Sequence, residues 1–133
     1  MTDTDIAGII VTHGQLGEEL LKTVNLIVGE IHDCYALSGS DLCDQEVIDS
    51  IHEILDRHAG KKAVIFVDYF GGSCGATCVR ASRGLKDVKV ISGVNLPILL
   101  DFVTKQGTLG FEEIVDHLIH RGQESVRIID IEI

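Results

Sequence analysis

Short, almost uninterrupted apolar runs alternate with longer stretches of helical period, and that alternation predicts a βα rhythm from end to end of the chain. Ile6–Thr12 reads as a buried strand in which Gly8 admits a closely packed helix. Over residues 15–28, Leu16, Leu20, Val24 and Ile27 form one apolar stripe, Glu18 and Lys22 pair outside it, and Gly29 closes the helix. Residues 31–37 form a second strand, followed by the polar loop Ser38-Gly39-Ser40. Asp44 is the expected N-cap of a helix whose stripe is Val47, Ile51, Ile54 and Leu55 and whose end is marked by Gly60. Residues 61–68 contain the apolar run Ala-Val-Ile-Phe-Val, a third strand, and the Gly-Gly-Ser turn beyond it opens a helix to about Leu85. A fourth strand over residues 86–92 leads through Gly93-Val94-Asn95-Leu96 into a helix with Pro97 near its first position. A last helix over residues 111–121 precedes residues 126–133, whose mixed charges and isoleucines suit an edge strand.

Strands separated by helix-length connections must be parallel, which predicts an α/β fold: a three-layer, doubly wound, mostly parallel sheet spanning residues 1–133 as one domain. Ligands on such sheets bind beyond the carboxyl ends of the strands, where the strand order reverses.

Composition narrows the partners. A chain of 133 residues can bury a core without disulfides, so Cys34, Cys43, Cys74 and Cys78 are expected to be reduced thiols. The net charge of −10 argues against nucleic acid, which needs a basic footprint, and favours a protein partner with a basic face. No apolar run reaches bilayer length and the first residues are acidic where a signal peptide would be basic, so the expected location is the cytoplasm. Cys74 and Cys78, one helical turn apart, lack a second ligand pair, and no metal or cofactor is expected. His117 and His120 read as a solvated helix face, and His32, His52 and His58 as surface residues.

Three loops converge at the carboxyl edge: Thr12-His13-Gly14, residues 68–73, and residues 92–97. In a 2-1-3-4 strand order the first and third strands are neighbours, so His13 and Asp68 face each other. Taken singly, a histidine at a strand end is a capping residue, an Asp before Gly-Gly is a turn, and Ser73 is an N-cap. Together they describe something else. An imidazole with one nitrogen donating to a carboxylate keeps its other nitrogen unprotonated and nucleophilic. Gly71, Gly72 and Ser73 add backbone N–H groups and a hydroxyl at a helix start, suited to phosphoryl oxygens. Thr12 and Asn95 are expected to support the site.

The runs Val11-Thr12-His13-Gly14-x-Leu16-Gly17, Asp68-Tyr69-Phe70-Gly71-Gly72-Ser73 and Ile91-Ser92-Gly93-Val94-Asn95-Leu96-Pro97 resemble the mannose-family IIA component of the bacterial sugar phosphotransferase system, over nearly the whole chain. The resemblance implies a flavodoxin-like fold and a phosphotransferase with a phosphohistidine intermediate. His13 would accept a phosphoryl group from the phosphocarrier protein HPr and pass it to a IIB component. It also implies that Asp68 holds the histidine, that Ser73 lies in the phosphoryl-receiving loop, and that a homodimer exchanges the C-terminal strand. Because the chain ends at Ile133, the IIB component is expected on a separate polypeptide, with peripheral association to a membrane IIC/IID complex. Cys74 and Ala76 depart from the family's usual proline and asparagine. That departure keeps open a regulatory role, in which the module signals its phosphorylation state instead of driving sugar uptake.

Overall fold

The two longest apolar runs occupy the middle of the sheet. In the computed structural model, which describes residues 5–130, β1 (Ile6–Thr12) and β3 (Lys62–Val67) pair with each other and are flanked by β2 (Cys34–Ser38) and β4 (Val88–Ile91). The order is β2-β1-β3-β4 with every pair parallel, as the rhythm of the sequence requires. Side chains alternate across a strand, so a strand covered on both faces must be apolar throughout. Ala7, Ile9 and Val11 accordingly pack under α2 (Asp44–Asp56) and α3 (Ser73–Ser82). Ile6 and Ile10 face the opposite layer of α1 (Leu16–Val28), α4 (Leu96–Lys105) and α5 (Phe111–Glu124). Each fully buried isoleucine contributes about 1.5–3 kcal/mol relative to its exposed state.

Gly8 is required by the second of these layers. A β-carbon at that position would lie 2.6 Å from Cε2 of Phe102, a fully buried α4 ring that is itself edge-on to Phe66. Gly8→Ala is therefore expected to destabilise the fold by about 1–3 kcal/mol through overpacking. Urea unfolding with an unchanged midpoint would show that the ring can move aside.

Several boundaries differ from the sequence expectation, each for a local reason. β2 begins at Cys34 because Asp33 adopts φ 56°, outside strand geometry. Cys43, not Asp44, is the N-cap of α2, and its N–H donates to Glu46 Oε1 at 3.0 Å. α3 stops at Ser82, short of Leu85, as Arg83 turns extended and Gly84 takes φ 78°. α5 runs on through Gly122 to Glu124. There the missing side chain admits Ile98, whose Cδ1 would be 2.8 Å from an added β-carbon. Residues 126–130 of the expected C-terminal strand carry no ladder in this chain, with Val126, Ile128 and Ile129 exposed; residues 131–133 lie outside the described part. His58 is not a surface residue. It is 6% exposed, with Nδ1 3.3 Å from Asp5 Oδ1 and Nε2 3.0 Å from the Tyr35 hydroxyl.

Candidate functional site

Val11 and Val67 are ladder partners, so β1 and β3 leave the sheet side by side at their carboxyl ends. The next residues of each strand make the site. His13 Nδ1 lies 2.8 Å from Asp68 Oδ2, and the His13 backbone N–H donates to the same oxygen at 3.0 Å. The other oxygen, Oδ1, accepts from the Tyr69 backbone N–H at 3.1 Å. Burial alone would raise the Asp68 carboxyl, but the His13 backbone and ring hydrogen bonds, the imidazole's charge and the local backbone outweigh it. The group is held below the ordinary aspartate value. An ionised carboxylate can only accept, so the proton of the neutral imidazole sits on Nδ1. Nε2 keeps its lone pair, on a side chain that is 45% exposed while Asp68 is only 12% exposed.

The ring is held on a second side by Tyr69, stacked with centroids 5.6 Å apart and an interplanar angle of 28°. Thr12 pins the loops on either flank: its carbonyl accepts from Gly39 N–H at 2.8 Å, and its Oγ1 accepts from Gly17 N–H at 2.9 Å at the start of α1. Ser40 Oγ in turn accepts from Gly14 N–H at 2.7 Å. Gly71, with φ 89°, makes a turn that a side chain would strain. Gly72 is the N-cap of α3, and Ser73 is its first residue, exposed at the helix start, in place of the capping role open to it from sequence. The first N–H groups of that helix are thus directed toward the edge where His13 emerges. Beside them lies a cleft of about 370 Å³ lined by Tyr69, Phe70, Gly71, Val79 and Val90, with Phe70 89% exposed at its rim.

Asn95 has a different place. Its Oδ1 accepts from Ile98 N–H at 3.0 Å, capping α4, and its Nδ2 donates to Ser125 Oγ at 3.0 Å. Val94 N–H donates to Val67 O at 3.1 Å. Asn95 therefore organises the third loop and the end of α5, and its amide is not directed at the imidazole. His117 also departs from expectation: it is half-buried and 2.7 Å from Asp101 Oδ2, which accepts from Arg121 Nε at 2.8 Å. The β2–α2 loop was missing from the sequence reading of the site, although β2 ends on the same edge and its Ser38-Gly39-Ser40 segment carried the signal.

Residues 7–119 match the family model described as PTS system fructose IIA component, EIIA-man. The chain belongs to the mannose family of phosphotransferase-system IIA components. The PTS system mannose-specific EIIAB component of Escherichia coli K12 is 30% identical over 130 residues, covering 93% of this chain. The IIA chain spans only 39% of that relative's length. The PTS system sorbose-specific EIIA component of Klebsiella pneumoniae is 27% identical over 115 residues, 85% of this chain and 84% of that protein. Among solved structures, a phosphotransferase system component EIIA from Streptococcus agalactiae superposes with a TM-score of 0.84 at 23% identity, covering 92% of this IIA chain and 96% of that one. The likeness bears out the parallel 2-1-3-4 fold.

Proposed function

We propose that this IIA component is a phosphocarrier whose His13 Nε2 takes a phosphoryl group from HPr and gives it to a IIB component. The observation that carries the reading is the 2.8 Å contact between His13 Nδ1 and Asp68, which leaves Nε2 as the exposed lone pair. Attack by Nε2 on the phosphorus of a phosphohistidine donor breaks the donor's P–N bond and leaves positive charge on the His13 ring. Asp68, already ionised, balances that charge through the Nδ1 proton. Phosphoryl transfer passes through a loose transition state with charge on three oxygens, so positioned donors supply most of the catalysis. Gly71, Gly72 and Ser73 at the start of α3 are the donors assigned to those oxygens, and Thr12 and Asn95 hold the neighbouring loops in place. No step calls for a metal or cofactor.

The acidic chain suits a donor with a basic face, and the apolar cleft with Phe70 at its rim offers the area such a partner would cover. Among the described residues no helix is long and apolar enough to cross a membrane, in keeping with a cytoplasmic carrier that meets a membrane IIC/IID complex peripherally. Among the described residues β4 is an edge strand, and this edge together with the exposed Val126, Ile128 and Ile129 favours a homodimer built by exchange of the C-terminal segment.

The test is a relay reconstructed from purified parts. Labelled phosphoenolpyruvate, enzyme I and HPr should place acid-labile, alkali-stable label on the chain, and an added IIB protein should drain it. A chain that takes no label refutes the assignment. Label that stays on the chain in the presence of IIB would replace the carrier by the regulatory reading that Cys74 and Ala76 keep open.

A further inference from the structure

Among the described residues, two groups of three side chains bring metal-capable atoms within 4.8 Å of one another, and they are chemically unlike. Asp5, Asp33 and His58 offer no sulfur, and both nitrogens of His58 already have partners. The other group is His13, Asp68 and Cys74, at the end of β1, the end of β3 and the second residue of α3. Cys74 Sγ is 4.0 Å from His13 Nδ1, the nitrogen that also faces Asp68 Oδ2. The sulfur is packed against Gly39, where an added β-carbon would overlap it.

We propose that His13 Nδ1, Asp68 Oδ2 and Cys74 Sγ form an inhibitory site for a divalent cation of the zinc class. The donor set of imidazole, carboxylate and thiolate is the mixture that borderline-soft cations take. With metal bonds of ordinary length, a tetrahedral ion holds its nitrogen and sulfur ligands about 3.6 Å apart and its nitrogen and oxygen ligands about 3.3 Å apart. Reaching those separations needs the Nδ1–Sγ distance to shrink and the Nδ1–Oδ2 distance to grow by about 0.5 Å each, within the range of small side-chain rotations. The half-exposed imidazole leaves room for a water as the fourth ligand. Asp44 lines the same small cavity as Cys74, adding negative charge nearby.

The protons account for the inhibition. Cys74 loses its thiol proton to solvent, and the imidazole proton moves from Nδ1 to Nε2 as the cation takes Nδ1. One proton is released overall. Nε2, the attacking atom of the proposed phosphocarrier, then has no lone pair, so this regulation rests on that reading while metal binding itself does not.

Binding is read without any phosphoryl donor. Cobalt(II) titrated anaerobically into the reduced protein should reach one equivalent, with a near-ultraviolet thiolate-to-cobalt charge-transfer band, and zinc should displace it. Cys74→Ala should lose that band and bind at least about tenfold more weakly. His13→Gln, at an exposed position where folding is not at stake, should weaken binding by a similar factor. No binding by wild type, a cobalt complex without the thiolate band, or a band that survives Cys74→Ala would each overturn the site. With purified phospho-HPr as donor, equimolar zinc should slow labelling of wild type by at least about tenfold and of Cys74→Ala less than about twofold. Equal labelling of wild type with and without zinc would overturn the inhibition. A chain that shows the cobalt band but is never labelled would instead sink the phosphocarrier assignment.

Discussion

His13→Gln, offered purified phospho-HPr, is expected to take up label at least about 10⁴-fold more slowly than wild type, because the variant lacks the nitrogen proposed to attack. Folding should be nearly unaffected. The side chain is half-exposed, and its removal forfeits one hydrogen bond to the Asp68 carboxylate, about 1.5–3 kcal/mol. Circular dichroism and urea unfolding separate this outcome from loss of structure. The same protein preparation settles the nitrogen. With the Nδ1 proton engaged by Asp68, the phosphoryl group should appear on Nε2, which ³¹P NMR of the phosphorylated wild type distinguishes from Nδ1. Label on Nδ1, or on the Gln variant at wild-type rate, would contradict the geometry.

Asp68→Asn should slow labelling by about 10²–10³-fold with the fold retained and KM for phospho-HPr little changed. The amide oxygen can still accept from Nδ1–H, but it carries no charge to balance the imidazolium that forms as Nε2 bonds to phosphorus. The amide can also flip and present its NH₂, which would favour the opposite tautomer. Equal kcat in the two proteins would remove Asp68 from the mechanism. Stability against acid gives an independent readout. The Asp68 carboxyl is depressed in the folded chain, so its contribution is present above the ordinary aspartate value near about 3.9 and is lost as pH falls through the lower folded value. Wild type should therefore lose more stability than Asp68→Asn between about pH 5 and pH 2.

The central strands were the most legible part of the chain because burial on both faces forces an almost unbroken apolar run. His13 and Asp68 could be paired from sequence for the same reason: once β1 and β3 are adjacent and parallel, their next residues must meet. What escaped the sequence depends on distant contacts. The last helix reads as ending at Arg121, yet α5 continues through Gly122, where Ile98 of α4 occupies the space a side chain would need. His58 reads as a surface residue, yet Asp5 and Tyr35, far from it along the chain, supply the partners that let it be buried. The polarity of Asn95 pointed to the site, but the start of α4 and Ser125 compete for its amide and win.

The notch at Gly8 acts as an index mark on β1. His13 stands five residues further along, about 16 Å away at strand rise, and its reach to Asp68 depends on where the strand is clamped. Sliding β1 by two residues would keep every side chain on its own face but carry the imidazole nearly 7 Å past its carboxylate. Such a slip would set Ile6 or Ile10 beneath the Phe102 ring, where only a hydrogen atom fits. The alignment of a proton-sharing pair at the rim is thus governed by a steric gauge deep in the sheet.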